Sequence, residues 1–170
     1  MQINITLPDG KVVKTEKGSS PFDIAKSISE GLARNVLSAS INNELWDIQR
    51  PIMFDCSLKL HTFSDIEGKK CFWHSTAHLM AEALENIYPG VKFGIGPAID
   101  NGFYYDVDLG EDKKLSSDEF AKIEQKMLDL AREKNDFIRK DISKKDALKY
   151  FKEKNDEYKI DLLESLNDGE

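Results

Sequence analysis

The spacing of apolar residues changes along the chain, and each change predicts an element. Over residues 2–7, Ile3, Ile5 and Leu7 alternate with polar positions. Pro8-Asp9-Gly10 carries turn chemistry and residues 11–15 resume an extended pattern, so a hairpin is predicted. Ser20-Pro21 offers an N-cap followed by a first-turn proline, Ile24, Ala25 and Ile28 recur at helical spacing, and Gly31 predicts a stop. Residues 36–41 read as a strand, Asn42-Asn43-Glu44 as a turn, and residues 58–63 as a last alternating strand. One helix against a small mixed sheet is an α+β arrangement. The polar stretch 64–70, with Gly68 inside it, separates two different patterns and predicts a linker. The expected division is therefore a first domain at 1–63, a linker at 64–70 and a second domain at 71–170.

The second half opens on Phe72-Trp73-His74-Ser75-Thr76-Ala77-His78-Leu79, the expected start of an apolar-rich helix ended by Tyr88-Pro89-Gly90. Its apolar stripe is Trp73, Met80, Leu84 and Ile87, with Ala77 and Ala83 at the margins. Asp100-Asn101-Gly102 signals a tight hairpin turn, after which Phe103, Tyr105 and Val107 face one way and Tyr104, Asp106 and Asp108 the other. Ser116 with Glu119 has capping-box spacing, and Phe120, Ile123, Met127, Leu130 and Ala131 mark one helical face. Beyond it the pattern predicts a strand at 137–142, a helix at 144–154 and extended structure at 158–163.

Composition narrows the function classes. The 170 residues are 40% hydrophobic and 32% charged, which fits one folded domain or two small ones and not a disordered chain. A net charge of -7 argues against indiscriminate coating of nucleic acid. Residues 132–154 nevertheless hold nine Lys or Arg against five Asp or Glu, a local +4 that leaves -11 elsewhere. That asymmetry suits a phosphate-facing patch or a solvated helix. The two cysteines make no disulfide framework, and the N-terminus has neither a secretory signal nor a membrane span.

The candidate chemistry centres on His74 and His78. Four residues apart on a helix, they share a face, and that face lies nearly opposite the apolar stripe. Two solvated surface histidines are the plain alternative. The metalloprotease pattern places glutamate directly after the first histidine, where this chain has Ser75. No in-chain metal site is expected; a weaker alternative adds Cys71 to His74 and His78 as a third ligand. Gly94-Ile95-Gly96-Pro97 lacks the third glycine of a dinucleotide-binding loop, and its glycines read as a bent strand or as backbone exposed for a substrate.

Taken together these segments resemble one family. Leu7-Pro8-Asp9-Gly10, Ser20-Pro21-Phe22-Asp23-Ile24-Ala25 and Gly31-Leu32-Ala33 resemble the ubiquitin-like TGS domain that begins threonyl-tRNA synthetases. The run from Phe72 to Leu79, the run Ile95-Gly96-Pro97-Ala98-Ile99-Asp100-Asn101-Gly102-Phe103-Tyr104-Tyr105-Asp106, and Tyr158-Lys159 resemble the editing domain that follows it. The resemblance implies a β-grasp TGS domain followed by an α+β editing (second additional) domain, truncated at its C-terminal end. It implies editing residues His74, His78 and Lys159, with Gly96, Pro97 and Tyr105 lining the substrate. It further implies contact with the acceptor end of tRNA(Thr) and hydrolysis of Ser-tRNA(Thr). No cofactor is expected in this stretch; ATP, Mg and Zn belong to the aminoacylation domain of a cytoplasmic enzyme whose full-length form is a homodimer using threonine and ATP. No membrane partner is expected. The chain stops at Glu170, before the family's second Cys/His pair, and neither Cys56 nor Cys71 takes its place. An N-terminal fragment inactive in aminoacylation and weak or inactive in editing is therefore expected. The alternative is a non-enzymatic TGS-type RNA- or partner-binding module in which the histidines are incidental.

Overall fold

The alternating N-terminal residues form β1 (Gln2–Thr6), antiparallel to β2 (Val12–Glu16), with Ile5 opposite Val13. The computed structural model describes residues 1–110, 114–135, 137–138 and 140–167. Two compact units divide the chain, Met1–Trp73 and His74–Glu170.

In the first unit, α1 (Pro21–Ile28) begins at Ser20, whose Oγ accepts from the Asp23 N–H at 3.2 Å while the Asp23 carboxylate accepts from the Ser20 N–H at 2.9 Å. This reciprocal box satisfies donors that a helix start leaves open. The expected stop at Gly31 is not where the helix ends. Ser29, extended at φ -166°, closes α1 through its N–H to the Ala25 carbonyl, and its Oγ accepts from the Leu32 N–H to open α2 (Glu30–Asn35). A serine that caps in both directions overrides the glycine signal, and Gly31 lies in the first turn of α2.

β3 (Val36–Ile41) turns through Asn42 and Asn43, both left-handed at φ 50° and 69°, into β4 (Glu44–Trp46). Asparagine is among the few residues that adopt this conformation at little cost. β5 (Cys56–Thr62) then enters the centre of the sheet, giving the order β2-β1-β5-β3-β4. It runs parallel to β1, with Ile5 opposite Cys56, and antiparallel to β3. The core is Ile3, Ile5, Ala39, Ile41, Ile52 and Leu58 with Ile24 from α1. Ile5, Ile24, Ile52 and Leu58 are essentially fully buried, each contributing about 1.5–3 kcal/mol.

The stretch expected as a linker is helical from Ile66, where α3 (Ile66–Ile87) begins. Asp65 joins the end of β5 to this helix: its carboxylate accepts from the Thr62 N–H at 2.9 Å and its carbonyl from the Lys69 N–H at 2.9 Å. Gly68 is buried, and a Cβ there would collide with the Thr62 carbonyl. The glycine marks a close approach of helix to strand, which its polar neighbours disguise as a connection.

In the second unit, β6 (Lys92–Phe93), β7 (Ala98–Ile99), β8 (Gly102–Phe103) and β9 (Val107–Asp108) form two small ladders, β6 with β9 and β7 with β8. Asp100 and Asn101 make the turn between β7 and β8. α4 (Ser117–Glu133) starts where the Glu119 carboxylate accepts from the Ser116 N–H, and ends at left-handed Lys134. α5 (Lys144–Glu153) and α6 (Glu157–Ser165) follow. Leu84, Phe93 and Ile123 are the buried centre, with Met80, Ile87, Tyr105, Val107 and Met127 packed around them.

Two expectations fail here. The described residues of 137–142 contain no strand, Arg139 lying outside them. Residues 158–163 are helical, because Asp156 caps α6 by accepting from the Lys159 N–H at 3.1 Å. Among the described residues, no helix is long and apolar enough to cross a membrane.

Candidate functional site

The helix α3 orients the site. Ala77, Ala83 and Leu84 are buried on one side, so His74 and His78, one turn apart on the other, stand exposed. Their Nε2 atoms lie 3.1 Å apart with the rings crossed at 85° and centroids 4.6 Å apart. One Nε2–H donates and the other Nε2 accepts, so in the neutral pair the two rings carry opposite tautomers. Partial desolvation, and then the charges of His74 and Lys159, hold the His78 imidazolium below its usual pKa of 6.5.

Lys159 reaches this neighbourhood from the first turn of α6. Its Nζ donates to the Gly94 carbonyl at 3.3 Å. Gly94 is itself fixed by its N–H to the Asp106 carbonyl at 2.9 Å, and Asp106 returns its N–H to Ile95 at 3.1 Å. Next to Ile95, Gly96 lets the Tyr105 ring come close to the backbone: a Cβ there would meet ring carbons at 2.5 Å. The Phe93 ring meets that of Tyr105 at 5.3 Å between centroids. Burial, then the carboxylates of Asp156 and Glu85, push the Tyr105 phenol up, so it keeps its proton at neutral pH.

The structure thus brings together His74 with His78, Lys159 with Gly94, and Gly96 with Tyr105, while Pro97 follows directly on the glycine loop. Gly94 was not singled out as a site residue, although the glycine pair had signalled accessible backbone. Cys71 engages the Leu37 carbonyl through its thiol at 3.3 Å. Among the described residues no group of three His, Cys, Asp or Glu is placed to hold a metal ion, so the Cys71, His74 and His78 triad is not assembled. The third histidine, His61, is buried in the first unit, its Nε2 2.7 Å from Ser40 Oγ and its Nδ1 3.6 Å from a Glu67 oxygen.

The first unit, a five-stranded mixed sheet with α1 packed on it, has the β-grasp form of a TGS domain, and the second carries the helical histidine pair. Residues 3–62 match the TGS domain family. Over 167 residues, 98% of this chain, the sequence is 61% identical to the threonine–tRNA ligase of Cytophaga hutchinsonii, of whose length that covers 26%. Identity is 53% to the ligase of Porphyromonas gingivalis over 26% of its length, and 52% to that of Flavobacterium psychrophilum over 25%, again with 98% of this chain matched. The chain is thus similar over nearly its whole length to a part of threonine–tRNA ligases and spans about a quarter of the length of these relatives.

Proposed function

We propose that this chain supplies the tRNA-contacting and hydrolytic editing part of a threonyl-tRNA synthetase, with a TGS domain at 1–63, residues 64–70 carrying the chain into α3, and an editing domain from 71. The observation that carries the proposal is the exposed His74–His78 pair with Lys159 charged beside it. Whole-enzyme properties belong to the same proposal: ligation of threonine to tRNA(Thr) with ATP, use of Mg and Zn by the aminoacylation region, a homodimer, and a cytoplasmic setting.

The need for such a site is physical. Serine is threonine less one methyl group, and a methyl supplies only about 1–3 kcal/mol, roughly 10–200-fold discrimination. A second site removes the error by hydrolysing Ser-tRNA. Water attacks the ester carbonyl, the bond from carbonyl carbon to ribose oxygen breaks, and a proton passes from the water to that oxygen, releasing serine and free tRNA. A histidine nitrogen of the pair holds the attacking water and takes its proton. Lys159 offers positive charge where the carbonyl oxygen gains negative charge. Tyr105 and the backbone at Gly96 and Pro97 form the wall against which the substrate lies. Every step is assigned to side chains of this chain and to water.

The test is deacylation of Ser-tRNA by a full-length threonine–tRNA ligase carrying this chain. His74→Ala and Lys159→Ala are each expected to slow it by about 10²-fold or more, the usual loss for a general acid–base group; unchanged hydrolysis overturns the site. One observation favours a second reading, a binding module without catalysis. An open groove of about 700 Å³ on α5 is lined by Lys144, Lys145, Lys149 and Lys152 with Leu148 and Glu153, away from the histidines. Binding of tRNA that is lost when Lys144, Lys145, Lys149 and Lys152 are replaced by Gln, yet is indifferent to His74→Ala, supports that reading.

A further inference from the structure

We propose that Asn101 is a site of spontaneous deamidation, and that the isoaspartyl linkage it leaves between β7 and β8 ages this part of the second unit. The chemistry needs an asparagine whose following residue leaves its nitrogen unhindered, a side-chain amide that no other group holds, and a backbone free to bring the two together. The chain has nine asparagines, and only Asn101 is followed by glycine. Ile, Val, Asn, Glu or Asp follows the others, and each of those side chains crowds the attacking nitrogen. Open space surrounds Gly102, where even an added Cβ would meet nothing within 4 Å. Hydrogen bonding separates the asparagines in the same sense. The amide groups of Asn4, Asn35, Asn86 and Asn135 donate to Asp55, the Gly31 carbonyl, the Glu82 carbonyl and Glu133, and the Asn42 side-chain oxygen accepts from the Ser57 N–H. Among the described residues no hydrogen bond holds the side chain of Asn101, which is exposed. The turn is clamped only by the pairs Ala98 with Phe103 and Ile99 with Gly102, so local opening there costs little.

The Gly102 nitrogen attacks the side-chain carbonyl carbon of Asn101. A C–N bond forms and closes a five-membered imide, the bond from that carbon to the side-chain nitrogen breaks, and ammonia leaves with the proton from the Gly102 N–H. Water then adds across one of the two imide C–N bonds. Opening at the side-chain carbonyl leaves aspartate; opening at the main-chain carbonyl routes the chain through the former side chain, an isoaspartyl linkage with one more backbone methylene. A turn of two residues has no slack for that methylene, so the register of Ile99 with Gly102 is lost. The new carboxylate also lies next in sequence to Asp100, whose like charge opposes closing the turn again. Residues 102–105 run from this turn to Tyr105, whose ring meets Gly96, and the disturbance thereby reaches the wall assigned to the substrate. That consequence rests on the editing role proposed above; the modification itself does not.

The chain is held in warm, mildly alkaline buffer beside a short peptide of the sequence Ile-Asp-Asn-Gly-Phe-Tyr. Both are followed by ammonia release, by peptide mass mapping and by methyl transfer from an isoaspartyl methyltransferase. Release should approach one ammonia per chain, map to Asn101 and bring methyl acceptance with it. Asn101→Gln, whose longer side chain cannot close the five-membered imide, should show none of this, with circular dichroism confirming its fold. A chain left intact over the time in which the peptide converts fully overturns the proposal. So does release that maps chiefly to another asparagine or persists in Asn101→Gln. A full-length threonine–tRNA ligase carrying this chain is then aged in the same buffer and assayed for Ser-tRNA hydrolysis. Loss should track isoaspartate, while fresh Asn101→Asp, which carries the charge without the extra methylene, should stay near the fresh wild-type rate. Hydrolysis that holds its fresh rate as isoaspartate accumulates overturns the ageing consequence and leaves the modification standing. Fresh enzyme that does not hydrolyse Ser-tRNA overturns the editing role and also leaves the modification standing.

Discussion

His61, in the Met1–Trp73 unit, is 2% exposed and held by Ser40, whereas His74 and His78, in the His74–Glu170 unit, are exposed with each other as partner. The surroundings differ in the same sense. The first unit closes five strands and a helix over a continuous apolar core. The second has strands of two residues and a smaller buried centre of Leu84, Phe93 and Ile123. A histidine inside a closed core is a packing element with a hydrogen bond. The same residue on a helix face opposite the core stripe is available to substrate, proton or ion. Residue type alone does not distinguish them; the face it occupies does.

Four experiments test that contrast, in order of expected effect. Leu58→Ala empties a fully buried position and should cost about 2–5 kcal/mol in chemical denaturation, whereas Leu128→Ala, at a position 54% exposed, should stay within about 0.5 kcal/mol. Similar losses at the two positions would erase the difference. Next, Gly96→Ala forces the Tyr105 ring off the backbone and should cost about 1–3 kcal/mol in urea denaturation while lowering Ser-tRNA hydrolysis more than the stability loss explains.

Third is the acid limb of stability. The Thr62 N–H holds the Asp65 carboxyl below its usual 3.8, so the folded chain binds fewer protons there than the unfolded one. This stabilisation is complete above the unfolded value and is lost as pH falls through the lowered folded value. Unfolding curves collected downward from pH 5 should show a shallower acid slope in Asp65→Asn than in wild type. The smallest effect belongs to Lys92→Ala, which removes an exposed 3.2 Å ion pair with Glu157 and should cost under about 1 kcal/mol, less in high salt.

Elements with a local signature could be read before the fold was known. The Ile3, Ile5 and Leu7 alternation, the Ser20 box and the Asn-Asn and Asp-Asn turns depend on residues within four positions of one another. Misreadings arose where two local signals competed. Tyr158, Ile160 and Leu162 alternate like a strand, but the Asp156 cap sets a short helix on which these positions are half-buried or exposed. Gly31 suggested a stop that Ser29 supplied two residues earlier. In the candidate site, the histidine pairing follows from helical spacing. The meeting of Lys159 with Gly94 joins residues 65 apart, and no periodicity carries it; only the family resemblance had drawn Lys159 in.

The parallel pairing of β1 with β5 also sets a schedule for synthesis. Asn4 bonds to Asp55 across 51 residues, and Ile5 sits opposite Cys56. At about 5–20 residues per second, the first strand leaves the ribosome some 3–10 s before its central neighbour exists. Until then only β2 covers an edge of β1, and Ile3 and Ile5 have no sheet centre to pack into. The turn at Asn42 and Asn43 acts in the opposite direction in time, because a hairpin of this kind forms in about 1–10 μs once its residues are free. The central strand pair of this sheet is therefore completed only when the start of the histidine helix is next to emerge.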